Sequence, residues 1–274
     1  MIAPGSVAHA DRYCDTTGDP QRDQRTPAEK LPRQGVVEVQ RYSFGDYYSA
    51  RSIEENGTKG YISLNDHDTE VPLVSAWQTP AECFGSAGSL RTGGWAVTPF
   101  GRVYTDGDDA PHFGDMNGKP LNRPIVGMAP TSSGLGYWLV ASDGGMFTFG
   151  DARFLGSMGG TRLNQPIVAM AATPTGDGYW LAAADGGLFS FGDATFRGSM
   201  GGTRLNQPMV GMVPTPSGGG YWMVARDGGI FTFGDATFKG STGSQNLARP
   251  IVGMVPNGTG YTLVDEVGNI YPFQ

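Results

Sequence analysis

GYWLVASDGGMFTFGDARFLGSMGGTRLNQPIVAMAATPTGD, residues 136–177, returns almost unchanged at 178–219. The same unit, more diverged, starts again at Gly93, Gly220 and Gly260. Its first apolar run is marked by Pro72, Pro124, Pro166, Pro208 and Pro250, the last four spaced by 42 residues. The first interval is longer because residues 81–91 are inserted, and the unit from Pro250 stops early. Within one unit the alternation of apolar residues and turn signals predicts strands at 166–172, 179–184 and 188–192, with a weaker fourth at 195–199. Asp185-Gly186-Gly187 between two apolar runs is a strong hairpin signal, because glycine accepts the positive φ of a tight turn. Side chains alternate along a strand, so Tyr179 and Trp180 point to opposite faces, as do Leu188 and Phe189. Each small sheet must therefore be covered on both sides.

A repeat of about 40 residues with four strands and two buried sheet faces fits a β-propeller blade. The first strand suits the position beside the axis, since Gly127, Ala169, Gly211 and Gly253 put a very small residue at its middle. The fold expected is all-β, a propeller of five four-stranded blades. The domain spans 36–274, with units starting near 72, 124, 166, 208 and 250. Residues 1–35, polar and rich in Pro, Gln and charge, form a tail or strap. Tyr42-Ser43-Phe44-Gly45-Asp46 matches the later Phe-x-Phe-Gly-Asp, so 36–71 is expected to supply the strand that the last unit lacks and to close the ring without an exposed edge. Six blades is the alternative, with 36–71 as a blade of its own. A linear stack of hairpins is a third arrangement.

The chain has 274 residues, a net charge of −7, 16% charged residues, 44 Gly and 19 Pro. High Gly and Pro with little charge agree with many short strands and turns. With no basic run, nucleic acid and anionic membranes are not expected partners. No window reaches the roughly 20 apolar residues of a membrane span. Ala8-His9-Ala10 has the pattern of a signal-peptidase site, although 1–7 is too short for a complete export signal. The two cysteines, Cys14 in the tail and Cys83 in the insertion, are expected to form a disulfide in an oxidising compartment. In the chain-entropy model a loop of that length contributes roughly 4 kcal/mol. A monomer is expected.

The repeated Gly-Tyr-Trp-Leu-Val-Ala-Ser-Asp-Gly-Gly, Phe-Thr-Phe-Gly-Asp-Ala and Gly-Ser-Met-Gly-Gly segments resemble the propeller-type repeats of exported proteins from high-GC Gram-positive bacteria. The resemblance covers about 93–274 and implies an extracellular or surface-associated setting, often beside cell-wall hydrolases or peptidases. It carries no catalytic motif. By architecture alone the ring is similar to WD-repeat, tachylectin-like lectin and enzyme-inhibitor propellers.

Chemistry-bearing residues are few. Asp151, Asp193 and Asp235, with Asp108, recur after Phe-Gly and could ligate calcium, but a short carboxylate at a turn is the expected role. The acidic run 105–109 lacks the spacing and closing Glu of a helix-loop-helix calcium site. Trp95, Trp138, Trp180 and Trp222, with Tyr137, Tyr179 and Tyr221, could stack on sugars. At mid-strand they are expected to pack between blades. The identical loops 156–166 and 198–208 place Arg162, Asn164 and Gln165, and Arg204, Asn206 and Gln207, at equivalent points of a ring. They are the ligand-binding candidates, although recent duplication alone would leave the same identity. Of the histidines, His9 lies in the tail, His67 in Asp66-His67-Asp68 and His112 near Asp115. No Gly-x-Ser-x-Gly, His-Glu-x-x-His or phosphate-binding glycine loop is present. No catalytic residue, metal or cofactor is expected. The function that follows is non-enzymatic binding of a cell-wall or environmental glycan. The alternatives are a propeller that covers an extracellular protein with one face, directed by the 81–91 insertion, and a glycan hydrolase with carboxylates at the axial mouth.

Overall fold

The computed structural model describes residues 37–44, 48–55, 58–66, 75–78, 82–83, 90–91, 94–106, 111–265 and 269–274. It is all-β and antiparallel. Strands β1 (Val37–Phe44), β2 (Tyr48–Glu55) and β3 (Thr58–Asp66) form the first sheet. Of the next five, β4 (Ser75–Gln78), β7 (Gly94–Val97) and β8 (Val103–Asp106) form the second sheet. The other two, β5 (Glu82–Cys83) and β6 (Leu90–Arg91), make a two-stranded ribbon within the insertion. Four further sheets follow in chain order: β9 (Ile125–Pro130), β10 (Gly136–Ala141) and β11 (Met146–Gly150); β12 (Ile167–Ala172), β13 (Gly178–Ala183) and β14 (Leu188–Gly192); β15 (Met209–Pro214), β16 (Gly220–Ala225) and β17 (Ile230–Gly234); β18 (Ile251–Asn257), β19 (Gly260–Asp265) and β20 (Ile270–Phe273).

One repeat shows why the sheet forms. Gly186 takes φ +80° at the β13–β14 turn, the Gly186 N–H donates to the Ala183 carbonyl at 2.9 Å, and Asp185 Oδ1 accepts the Gly187 N–H at 2.9 Å. That three-residue loop, 184–186, closed by the Ala183 N–H donating to the Gly187 carbonyl at 2.8 Å, sets Leu181 opposite Phe189 and Tyr179 opposite Phe191. On the other side, β12 carries a bulge at Val168, so Ile167 pairs with Ala183 while Ala169 pairs with Ala182. The bulge recurs at the start of β9, β15 and β18. It aims the small residue that follows at the neighbouring sheet. A Cβ on Gly211 would stand 3.3 Å from the Met254 backbone nitrogen and 3.2 Å from the Val224 side chain. The first strands β9, β12, β15 and β18 thus run side by side from sheet to sheet, and the central strands β10, β13, β16 and β19 are buried at every position. This is a propeller-type succession of sheets packed face against face.

The core is divided between the gaps. Trp180 and Ala182 pack with Met209, Met212, Tyr221 and Met223 of the following sheet, while Tyr179, Leu181 and Ala183 pack with Trp138 and Val140 of the preceding one. Each of the four gaps from the β4/β7/β8 sheet onward is spanned by a tryptophan against a tyrosine: Trp95–Tyr137 at 5.9 Å, Trp138–Tyr179 and Trp180–Tyr221 at 5.7 Å, and Trp222–Tyr261 at 5.4 Å between ring centroids. Each such pair adds about 0.5–1.5 kcal/mol beyond the area it buries. The repeated aromatics are therefore inter-sheet packing, as their mid-strand position indicates.

Two expectations are corrected. The unit has three laddered strands, and 195–199 makes none. The Ala194 N–H turns back to the Phe191 carbonyl at 3.3 Å and Gly198 takes φ +128°, outside the extended region of regular strand residues. The backbone of this crossing segment is held by side chains instead. Trp180 Nε1–H donates to the Thr195 carbonyl at 3.0 Å, the Arg197 N–H donates to the Tyr221 hydroxyl at 2.9 Å, and that hydroxyl donates to the Gly198 carbonyl at 2.6 Å. The second correction concerns ring closure by strand donation. In the described strands β1 pairs with β2 and β2 with β3, whereas β20 pairs with β19, so Val37–Phe44 belongs to a sheet of its own. Cys14, the 1–35 tail, His9, His67, Asp68, Asp108 and Asp109 lie outside the described residues, and the Cys14–Cys83 pairing with them.

Candidate functional site

The crossing segment delivers the chain from the outer strand of one sheet to the inner strand of the next. After Gly198 it returns to the β13–β14 turn, where the Met200 N–H donates to the Gly186 carbonyl at 2.9 Å. Residues 201–207 then pass over the end of the sheet, and the Met209 N–H reaches the Ala184 carbonyl at 2.9 Å to begin β15. The polar residues on this last stretch therefore sit beside the β-turns of one rim. Arg162, Asn164, Gln165, Arg204, Asn206 and Gln207 are all exposed, and none makes a hydrogen bond or ion pair with the described residues. Their donors and acceptors face solvent.

Asn206 and Gln207 line a cavity of about 380 Å³ together with Asp227, Phe238, Ser241 and Ser244. One wall is the crossing segment that enters the β15–β17 sheet, and the other is the segment that leaves it. Ile230 and Phe231 of β17 form part of the apolar floor. Asp227 Oδ1 accepts the Gly229 N–H at 2.9 Å, which fixes the carboxylate at the turn. Phe238 presents its ring at the wall with 58% of its surface exposed. The cleft thus combines a flat apolar ring, two carboxamides able both to donate and to accept, two hydroxyls and an anchored carboxylate. That combination suits a ligand with an apolar face and a rim of hydroxyl or amide groups.

Of the six residues read from the sequence, the structure brings Asn206 and Gln207 into this cleft, and Arg204 stands outside its lining. Arg162, Asn164 and Gln165 occupy the equivalent crossing one unit earlier. Phe238, Ser241, Ser244 and Asp227 were not among the sequence candidates. A signal for Phe238 was present: Asp-Ala-x-Phe recurs at Phe154, Phe196 and Phe238, a large apolar residue placed after the last strand where no sheet face can cover it.

The recurring aspartates have a structural role. Asp193 accepts the hydroxyls of Thr173 at 2.8 Å and Thr175 at 2.5 Å, and Asp235 accepts those of Thr215 at 2.8 Å and Ser217 at 2.5 Å. Asp151 takes Thr131 and Ser133 in the same way. Each carboxylate clasps the turn between the first and second strands of its sheet. The Ser217 hydroxyl foremost, with that of Thr215, holds the Asp235 carboxyl below its ordinary value. His112 Nε2 lies 3.5 Å from Asp115 Oδ2, and Asp115 also accepts the Val103 and Asn117 N–H groups, so this pair organises a loop. Among the described residues no three His, Cys, Asp or Glu side chains converge as a metal site would require, and no helix is long and apolar enough to cross a membrane.

No family model matches the chain, and no curated protein matches it either. Among solved structures the chain is similar to Raptor of Chaetomium thermophilum, with a TM-score of 0.47 and 8% identity over 89% of this chain and 28% of that one. It therefore spans under a third of that protein's length. It is also similar to the beta-propeller domain of Cps50 (Swd1) from Myceliophteria thermophila, with a TM-score of 0.44 and 10% identity over 88% of this chain and 86% of that domain.

Proposed function

We propose that the protein is a non-enzymatic carbohydrate-binding propeller, acting outside the cell on cell-wall or environmental glycan. The observation that carries this reading is the cleft lined by Phe238 together with Asn206 and Gln207, whose carboxamides have no partner among the described residues. A pyranose offers a C–H face to an aromatic ring and a rim of hydroxyls, with an acetamido group in many wall sugars, to carboxamides. Free amide groups need no internal hydrogen bond broken before they bind, which favours affinity through preorganisation. The six successive three-stranded sheets support the six-blade form of the propeller over five.

Calorimetry with N,N′,N″-triacetylchitotriose and a panel of neutral oligosaccharides tests this reading. Binding weakened about tenfold or more by Asn206→Ala and by Phe238→Ala is expected, from the loss of roughly 1.4 kcal/mol or more per contact. Both side chains are surface groups, so thermal stability should stay within about 0.5 kcal/mol of the parent. Absence of binding across the panel, or binding unchanged in both variants, rules the cleft out and turns attention to a protein partner.

A further inference from the structure

The site just described contains one of three exposed phenylalanines that recur at one position of the repeat. Phe154, Phe196 and Phe238 occupy the same position in successive units and leave 62%, 56% and 58% of their surface in water. Each is flanked on both sides by backbone groups pinned to buried aromatics. Before Phe154 the Arg153 carbonyl accepts Trp138 Nε1–H at 2.8 Å, and after it the Leu155 N–H donates to the Tyr179 hydroxyl at 3.2 Å. The same two bonds bracket Phe196, at 3.0 Å from Trp180 and 2.9 Å to Tyr221, and Phe238, at 2.9 Å from Trp222 and 3.2 Å to Tyr261. His112 takes the fourth place, with Trp95 bonded to the Pro111 carbonyl and the Phe113 N–H bonded to Tyr137. Here the tryptophan of one sheet and the tyrosine of the next hold the backbone on either side of the ring fixed.

We infer that Phe154, Phe196 and Phe238 form a row of preorganised stacking platforms that engages one extended polysaccharide across successive sheets. This rests on the carbohydrate reading above and adds to it two ring sites and a preference for polymer. The composition between the rings favours a glycan over a protein surface. A protein interface is apolar at its core and depleted of charge, whereas here the intervening loops carry the exposed Arg162, Asn164, Gln165 and Arg204, which have no partner among the described residues. Alternation of an apolar ring with hydroxyl-matching groups is the pattern that a chain of sugar rings presents. The three rings belong to successive units, so a long chain can meet more platforms than a short oligosaccharide can. Linking binding events on one chain raises the apparent affinity without new contacts.

The test compares triacetylchitotriose with soluble glycol chitin on the full chain and on a Phe154→Ala/Phe196→Ala variant, with near-ultraviolet circular dichroism confirming the native packing of both. The polymer should bind the parent on the order of 10²-fold more tightly per chain than the trisaccharide. The double variant should lose most of that gain and bind fewer trisaccharides per chain, while keeping trisaccharide binding at the Phe238 cleft. A polymer gain that survives in the double variant, or no gain in the parent, overturns the platform row and leaves the single cleft standing. Failure of both probes to bind overturns the carbohydrate reading and the row together.

Discussion

A single tyrosine hydroxyl couples two repeats. Tyr221 belongs to the sheet after the crossing segment, yet its oxygen accepts the Arg197 N–H and donates to the Gly198 carbonyl, and its ring lies against Trp180. Tyr221→Phe keeps the packing and strands both backbone groups, and a loss of about 1–3 kcal/mol is expected in denaturant unfolding. Burial pushes the Tyr137 phenol up to about 12, and raises Tyr179, Tyr221 and Tyr261 in the same direction. An unfolded tyrosine ionises near pH 10. With the folded value raised, the stability these groups hold is complete below the unfolded value and is lost as pH rises through the folded one. The melting temperature should fall from about pH 10 upward, less steeply in Tyr221→Phe. Asp235 runs the other way. Its folded value is depressed, so its contribution is present above the unfolded value near 4 and is lost as pH falls through the folded one. The group is exposed, so the effect on stability is small. A direct carboxylate titration by NMR should show Asp235 moving up in Thr215→Val, and no movement would contradict the clasp. The aromatic pairing was legible because Trp and Tyr recur side by side on opposite strand faces. The hydroxyl bonds were not, since their partners lie in a segment without periodicity and about two dozen residues earlier in the chain.

The crossing segment is the element on which sequence and structure part. Residues 195–199 carry enough β-formers to suggest a strand, but Gly198 has φ +128° and a Cβ there would lie 2.7 Å from the Phe233 ring. Glycine is required by both conformation and contact. Gly198→Ala should cost about 1–3 kcal/mol and loosen the bracket around Phe196, read as earlier thermal unfolding and faster amide exchange at Arg197. In the last repeat Thr242 stands where Met158 and Met200 stand in the others. It is 1% exposed, and its Oγ1 has no hydrogen-bond partner. Restoring the repeat residue with Thr242→Met removes a buried unsatisfied hydroxyl and adds apolar contact, so a gain of about 1–2 kcal/mol is expected. A destabilised variant would show that the hydroxyl is satisfied in solution. The three laddered strands, by contrast, were legible to within a residue or two, because Asp-Gly turns bound short apolar runs that recur in every unit.

At the scale of the whole molecule, repetition distributes both stability and chemistry. Every gap between the later sheets is closed by the same Trp–Tyr pair, and two successive crossings, 156–166 and 198–208, bring the same polar groups to one rim. The succession of sheets followed from period and burial, whereas the grouping of 37–66 as its own sheet stood only as the six-blade alternative. Tyr42 to Asp46 resembles a repeat's outer strand, and local similarity cannot tell a strand that joins a distant sheet from one that pairs with its own neighbours. The candidate site was half legible for a related reason. Loop identity flagged Asn206 and Gln207, but which residues of the next crossing face them depends on how two sheets stack. The most direct measurement is therefore amide chemical-shift mapping of the labelled protein during titration with triacetylchitotriose. Shifts concentrated at Asn206, Gln207, Asp227, Phe238, Ser241 and Ser244 are expected. Shifts confined to the opposite rim, at Thr173, Thr175, Thr215 and Ser217, or none at saturating sugar, would contradict a glycan cleft between successive crossings.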